Sequence, residues 1–143
     1  MLDDPSSDAS QNPTAGNHAD GERQTGQTEF NRELAETHYY VALDHVAEGH
    51  DAEAVDEYRQ ALAADPAFTD ALHGLSRALQ NLNRLDEAIE VSQQISLVDP
   101  DDVLAHTSLS ILYQKKGMIP EAEAEGNRAR VLGWKQQLKK GPG

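Results

Sequence analysis

From residue 28 onward the apolar residues fall at helical spacing, and the pattern then repeats itself. Phe30, Leu34, Val41 and Ala42 share one side of a predicted helix whose N-cap is Thr28. The stretch AVDEYRQALAADP, Ala54 to Pro66, is a second amphipathic helix closed by Asp-Pro. Thirty-four residues on stands AIEVSQQISLVDP, Ala88 to Pro100, and thirty-four further AEAEGNRARVLGW, Ala122 to Trp134. An internal repeat of this length means stacked supersecondary units rather than one deep core.

Position by position, the register holds. The first helix of each unit carries Val41, Leu75 and Leu109 as packing positions, followed by a small residue at Ala42, Ser76 and Ser110. Gly49, Asn83 and Gly117 mark the turn inside each unit, the residue types that tolerate the left-handed backbone needed there. The second helix opens on Ala54, Ala88 and Ala122 and later shows Ala61, Ile95 and Ala129. Asp65-Pro66 and Asp99-Pro100 close the units, because proline cannot continue a helix but is accepted in the first turn of the next. Alanine fits where two helices must approach closely, since a methyl group is what ridges and grooves accommodate at that distance.

These residues resemble the tetratricopeptide repeat family, whose unit is a helix-turn-helix of this length. The signature is a small residue, a glycine turn, alanine, the aromatic Tyr58, alanine and proline, and it runs from about Ala35 to Trp134. The resemblance implies an all-α, right-handed array of helical hairpins, an α-solenoid. Its domain would span 28–140, with units at 35–68, 69–102 and 103–133 and a capping segment at 134–140. Departures are visible. His38, Leu72 and His106 stand where the family favours tryptophan, the second-helix aromatic becomes Ser92 and Gly126, and the third unit reads Gly133-Trp134 in place of Asp-Pro. Packing is therefore expected to loosen toward the C-terminus. Trp134 and Leu138, four apart, are expected to fold onto the apolar face left open by the absent fourth unit.

Removing the packing positions leaves one face of the first helices: Glu36, Tyr39, Leu43 and Val46; Asp70, His73, Arg77 and Gln80; Leu104, Thr107, Ile111 and Gln114. In the family this face is the concave groove that holds a peptide or a partner's helix. The resemblance thus implies a binding groove on Tyr39, Leu43, His73, Arg77, Leu104, Thr107, Ile111 and Gln114, with Arg77 as the fixed cation for a carboxylate. One subset of the family clamps the acidic C-terminal tails of heat-shock chaperones with cations and amides. The matching positions are Tyr39, Leu43, Gly74, Leu104 and Ser108, none of which clamps a carboxylate by charge. Gly74 costs about 1 kcal/mol relative to alanine inside a helix. Its presence suggests either the close approach of a ligand backbone or simple tolerance.

Composition narrows the function. Of 143 residues, 38% are hydrophobic and the mean hydropathy is -0.67, which suits a thin, elongated core. Residues 1–27 hold almost no large apolar side chain after Leu2 and are expected to be a disordered acidic and polar tail. There is no cysteine, which excludes disulfides and thiolate chemistry. The start MLDDPSSDAS has neither the basic nor the apolar segment of a secretory signal, so the expected location is cytoplasmic. The net charge of -13 is uneven: residues 1–114 carry 22 acidic and 5 basic side chains, residues 115–143 carry 3 and 7. That balance argues against nucleic acid as a partner, and no apolar run argues for a membrane.

No phosphate loop, nucleophile elbow or deaminase signature occurs, so neither an enzyme nor a cofactor is expected. His38 and His45 lie seven apart on one helical face, but no Asp, Glu or His set at ligand spacing joins them, and no metal is expected. Asp101 and Asp102 in DPDD begin a helix where its dipole favours acids. The expected function is an adaptor that binds a segment of another protein in the groove. A self-assembling structural module, using the groove and the open ends of the array, is the alternative.

Overall fold

Six helices and no strand make up residues 31–141, the part of the chain described by the computed structural model. The expected tail at 1–27, the N-cap Thr28 and the apolar Phe30 lie outside these residues. Helix α1 covers 31–47, α2 Asp51–Ala64, α3 Thr69–Asn81, α4 Leu85–Val98, α5 Val103–Lys115 and α6 Ile119–Lys140. Each packs on the helices before and after it in sequence, α2 on α3, α3 on α4, α4 on α5 and α5 on α6. The result is an all-α array of three hairpins in line.

The turns within the hairpins form as the sequence requires. Gly49, Asn83 and Gly117 have φ of 79°, 61° and 77°. The turns between hairpins use aspartate. The Oδ1 of Asp65 accepts from the Ala67 amide at 3.2 Å, and that of Asp99 from the Asp101 amide at 3.1 Å. Pro66 and Pro100 therefore sit in these turns and not, as expected, in the first turn of the following helix. Asp65 and Asp99 each hold the turn through the amide two residues on, and the proline between, whose fixed φ suits the second position of a turn, leaves no donor idle there. Asp102 then caps α5, its Oδ1 accepting from the Ala105 amide at 3.0 Å.

The core is a ribbon along the stack, consistent with the composition. Ala54, Ala61, Ala88 and Ile95 are wholly buried, with Leu75 and Leu109 nearly so. Their equivalents at the two ends are not. Val41 was expected to pack but is 37% exposed, because α1 has no preceding hairpin among the described residues to cover that face. Ala129 is only partly buried for the mirror reason. The expected fold-back of the capping segment is also absent. Residues 134–140 continue α6 as one 22-residue helix, leaving Trp134 and Leu138 68% and 67% exposed. Gly133 lies inside that helix with Trp134 and not a proline next to it, and nothing turns the chain back there. Gln136 instead donates to the Asp101 carbonyl at 2.7 Å, holding the extension beside the α4–α5 turn.

Two polar pairs show how the departures from the repeat are absorbed. The Nδ1 of His38 lies 2.8 Å from Glu57 and that of His106 2.7 Å from Glu125, each joining the two helices of a terminal hairpin. The same places in the middle hairpin are Leu72 and Val91, both buried. Where the aromatic is lost, the hydroxyl of Ser92 meets that of Ser76 at 2.9 Å, a fully buried bond.

This packing predicts a position-dependent response to bulk. Ala88→Leu should cost about 1–3 kcal/mol through overpacking, while the same change at the half-open Ala129 should stay within about 0.5 kcal/mol. Urea titrations followed by helical circular dichroism measure both, and equal losses would contradict the packing described.

Candidate binding groove

The first helices of the three hairpins, α1, α3 and α5, line one side of the array and enclose an open groove of about 420 Å³. Helix α1 contributes Tyr39, Leu43 and Val46; α3 contributes Asp70, His73, Gly74, Arg77 and Gln80; α5 contributes Leu104 and Ser108. Leu43, Val46 and Leu104 are exposed apolar side chains here. Arg77 is the single Lys or Arg side chain of the lining, and it makes no ion pair among the described residues. Asp51 and Asp70 stand on the same surface.

Of the eight side chains expected in the groove, five line it: Tyr39, Leu43, His73, Arg77 and Leu104. Thr107, Ile111 and Gln114 lie outside that lining. Tyr39 and His73 explain the geometry. Tyr39 packs on Phe68 at the start of α3, ring centroids 5.1 Å apart, and the Nε2 of His73 lies 2.8 Å from Asp102 at the start of α5. This column thus faces the next first helix, joining hairpins as well as lining the groove. Thr107 holds the same place in the third hairpin, beyond which no further first helix stands among the described residues, and its hydroxyl bonds back to the Val103 carbonyl at 3.1 Å. Gln114 lines a separate depression with Ser110, Ile119 and Ala122. Ile111 remains exposed.

Tyr58 and Gly74 are coupled, which the sequence alone does not reveal. A Cβ built on Gly74 would lie 2.6 Å from the Tyr58 hydroxyl and 2.5 Å from its Cε1. Gly74 is therefore there neither for a ligand backbone nor by tolerance. It makes room for Tyr58, the one aromatic ring kept at this position of the second helices, which is almost fully buried beneath the groove floor. Burial pushes the Tyr58 phenol above its usual range, with Tyr39 and Asp51 adding to the effect. Tyr39 is raised as well, first by burial and then by Asp70. Both phenols stay neutral beneath and beside the acidic rim.

The histidines part company. His38 is engaged with Glu57, as described. His45, expected to have no Asp, Glu or His neighbours at ligand spacing, in fact lies with Glu48 and His50 around the α1–α2 turn. The signal was readable only once the turn at Gly49 brought residues from both of its sides together.

Residues 45–112 match the family described as the tetratricopeptide repeat. The structure is similar to that of MamA, with a TM-score of 0.70 at 23% identity over 72% of this chain, which spans 60% of the MamA chain. It is similar to the second repeat domain of Spaghetti (RPAP3), bound to the HSP90 peptide SRMEEVD. There the TM-score is 0.69 at 20% identity, over 76% of this chain and 98% of that one. The Yersinia enterocolitica type III secretion translocator chaperone SycD gives 0.66 at 20% identity, over 70% and 75%. No curated protein matches the sequence.

The Tyr58–Gly74 contact makes a prediction of sign. Gly74→Ala should destabilise the protein although alanine is favoured in a helix by about 1 kcal/mol. In a Tyr58→Leu background the same change should become neutral or favourable. Denaturation of the four proteins of this cycle decides it; a stabilising Gly74→Ala in the wild-type background would refute the account.

Proposed function

Since the chain is a tetratricopeptide repeat protein, we propose that it is a non-enzymatic adaptor that holds an extended segment of a partner protein in the groove of α1, α3 and α5. The observation that carries this reading is the lining itself. Exposed Leu43, Val46 and Leu104 flank Arg77, a cation without a partner among the described residues. Exposed apolar side chains gathered on a concave face offer area for an extended chain, and Arg77 offers a two-pronged donor for one carboxylate.

The chemistry of the preferred segment follows from the lining. Tyr39, Leu43, Gly74, Leu104 and Ser108 all border the groove and bring no charge. Asp51 and Asp70 repel a strongly acidic segment. A largely apolar segment with one carboxylate placed for Arg77 fits this surface better than an acidic tail. Structures of similar fold include one bound to an HSP90 peptide, a translocator chaperone and the CopN-Scc3 complex, which supports a protein partner while leaving its identity to the groove's own chemistry. The acidic surface speaks against nucleic acid. No helix among the described residues is long and apolar enough to cross a membrane.

A second reading rests on α6, where Val131, Trp134 and Leu138 form an exposed apolar stripe at helical spacing. Such a stripe suits contact with another copy of the chain.

The two readings separate in one experiment. A partner captured from native lysate and titrated against purified protein should bind Arg77→Glu about tenfold or more weakly, with helical signal and melting unchanged. Leu43→Ser with Leu104→Ser should weaken it too. Unchanged affinity in both variants would reject the groove reading, and a concentration-dependent dimer in light scattering that Trp134→Ser abolishes would put the second in its place.

A further inference from the structure

The turn between α1 and α2 gathers three ligand-bearing side chains. One donor atom each from His45, Glu48 and His50 lies within 4.8 Å of the other two. The Nδ1 of His50 is 3.3 Å from the Glu48 carboxylate, and the rings of His45 and His50 are 6.1 Å apart between centroids. The backbone holds this arrangement. Gly49 takes φ 79°, and the His50 amide donates to the His45 carbonyl at 2.8 Å, so the two histidines are tied across one tight loop. Glu48 and His50 are both exposed, which leaves their side chains room to turn toward a common centre.

An independent observation sets His45 apart. Its Nδ1 is buried and has no hydrogen-bond partner among the described residues, a state that costs free energy unless something fills it. The repeat does not require a histidine here. At the same place the middle hairpin has Leu79, fully buried, and the last has Tyr113, packed against the core. Glu48 and His50 correspond to Leu82 and Arg84, then to Lys116 and Met118. Packing thus explains these turns elsewhere in the array but not the set His45, Glu48 and His50.

We propose that the α1–α2 turn is a binding site for a divalent transition-metal ion of the zinc, nickel and copper class, held by His45, Glu48 and His50. Two imidazoles and a carboxylate suit these ions, which bind nitrogen at about 2.0–2.1 Å. Calcium and magnesium need a fuller set of oxygen donors. Three protein ligands leave a position for water. The ion pins the turn of the first hairpin, which has a neighbouring hairpin on one side only among the described residues. It also fixes one end of the groove, since Val46 and Asp51 flank the turn and line that surface. The site stands whether or not the groove binds a peptide.

The test uses the full, untagged chain, stripped with a chelator and titrated with zinc alone by calorimetry, then with nickel and with calcium. One equivalent of zinc should bind and raise the melting temperature, with calcium far weaker. His50→Ala should weaken zinc by about tenfold or more. His45→Leu, which installs the residue of the middle hairpin, should abolish binding while the helical signal persists, so loss of fold does not confuse the result. His38→Asn, away from the turn, should leave zinc affinity unchanged. Absence of zinc binding in the wild type, or binding that survives both His50→Ala and His45→Leu, overturns the proposal.

Discussion

Ala54, Ala88 and Ala122 are buried almost to the last atom, at one position of three successive second helices. A methyl group at each of these points fixes how closely the two helices of a hairpin approach, and with it the spacing of the whole stack. Every other feature is adjusted around that distance. Since each hairpin packs only on its neighbours, an error in one interface is not averaged out by a larger core, as it would be in a globular domain.

The variable positions show the same constraint solved with different chemistry. Tyr58 fills its place with a ring, and α3 gives way by using Gly74. Ser92 fills the equivalent place with a hydroxyl that must find Ser76. Gly126 leaves it nearly empty, with the Ser110 side chain beside it and the Ser110 hydroxyl donating to the Ala122 carbonyl at 2.8 Å. Joints between hairpins vary likewise: Tyr39 packs against Phe68 with the rings tilted, whereas His73 bonds to Asp102. Because these joints sit on the first helices, the side chains that hold the array together also shape the groove.

Repeat length, the positive-φ turn residues Gly49, Asn83 and Gly117, and the alanine positions were legible in the sequence, since each is a local demand of helix packing or of backbone conformation and recurs three times. Partnerships were not. That Gly74 answers Tyr58, that His73 belongs to Asp102, and that His45 meets His50 depend on which faces the stacking brings together. The end effects were misread for a related reason. Periodicity marks Val41 as core, but burial needs a neighbour, and the apolar Trp134 and Leu138 find none on a helix that runs straight on. The groove was legible in its α1 and α3 walls and in Leu104, where neighbouring first helices close it. Thr107, Ile111 and Gln114 lie outside that lining, and no further first helix stands beyond them among the described residues.

The central claim is that recognition falls on the face where α1, α3 and the start of α5 converge. Amide chemical-shift mapping of isotope-labelled protein, titrated with a segment of a captured partner, addresses it directly. The account predicts perturbations centred on Tyr39, Leu43, Gly74, Arg77 and Leu104, with the outer faces of α2 and α4 silent. Perturbations centred instead on Val131, Trp134 and Leu138 of α6, with the groove amides unmoved, would contradict it.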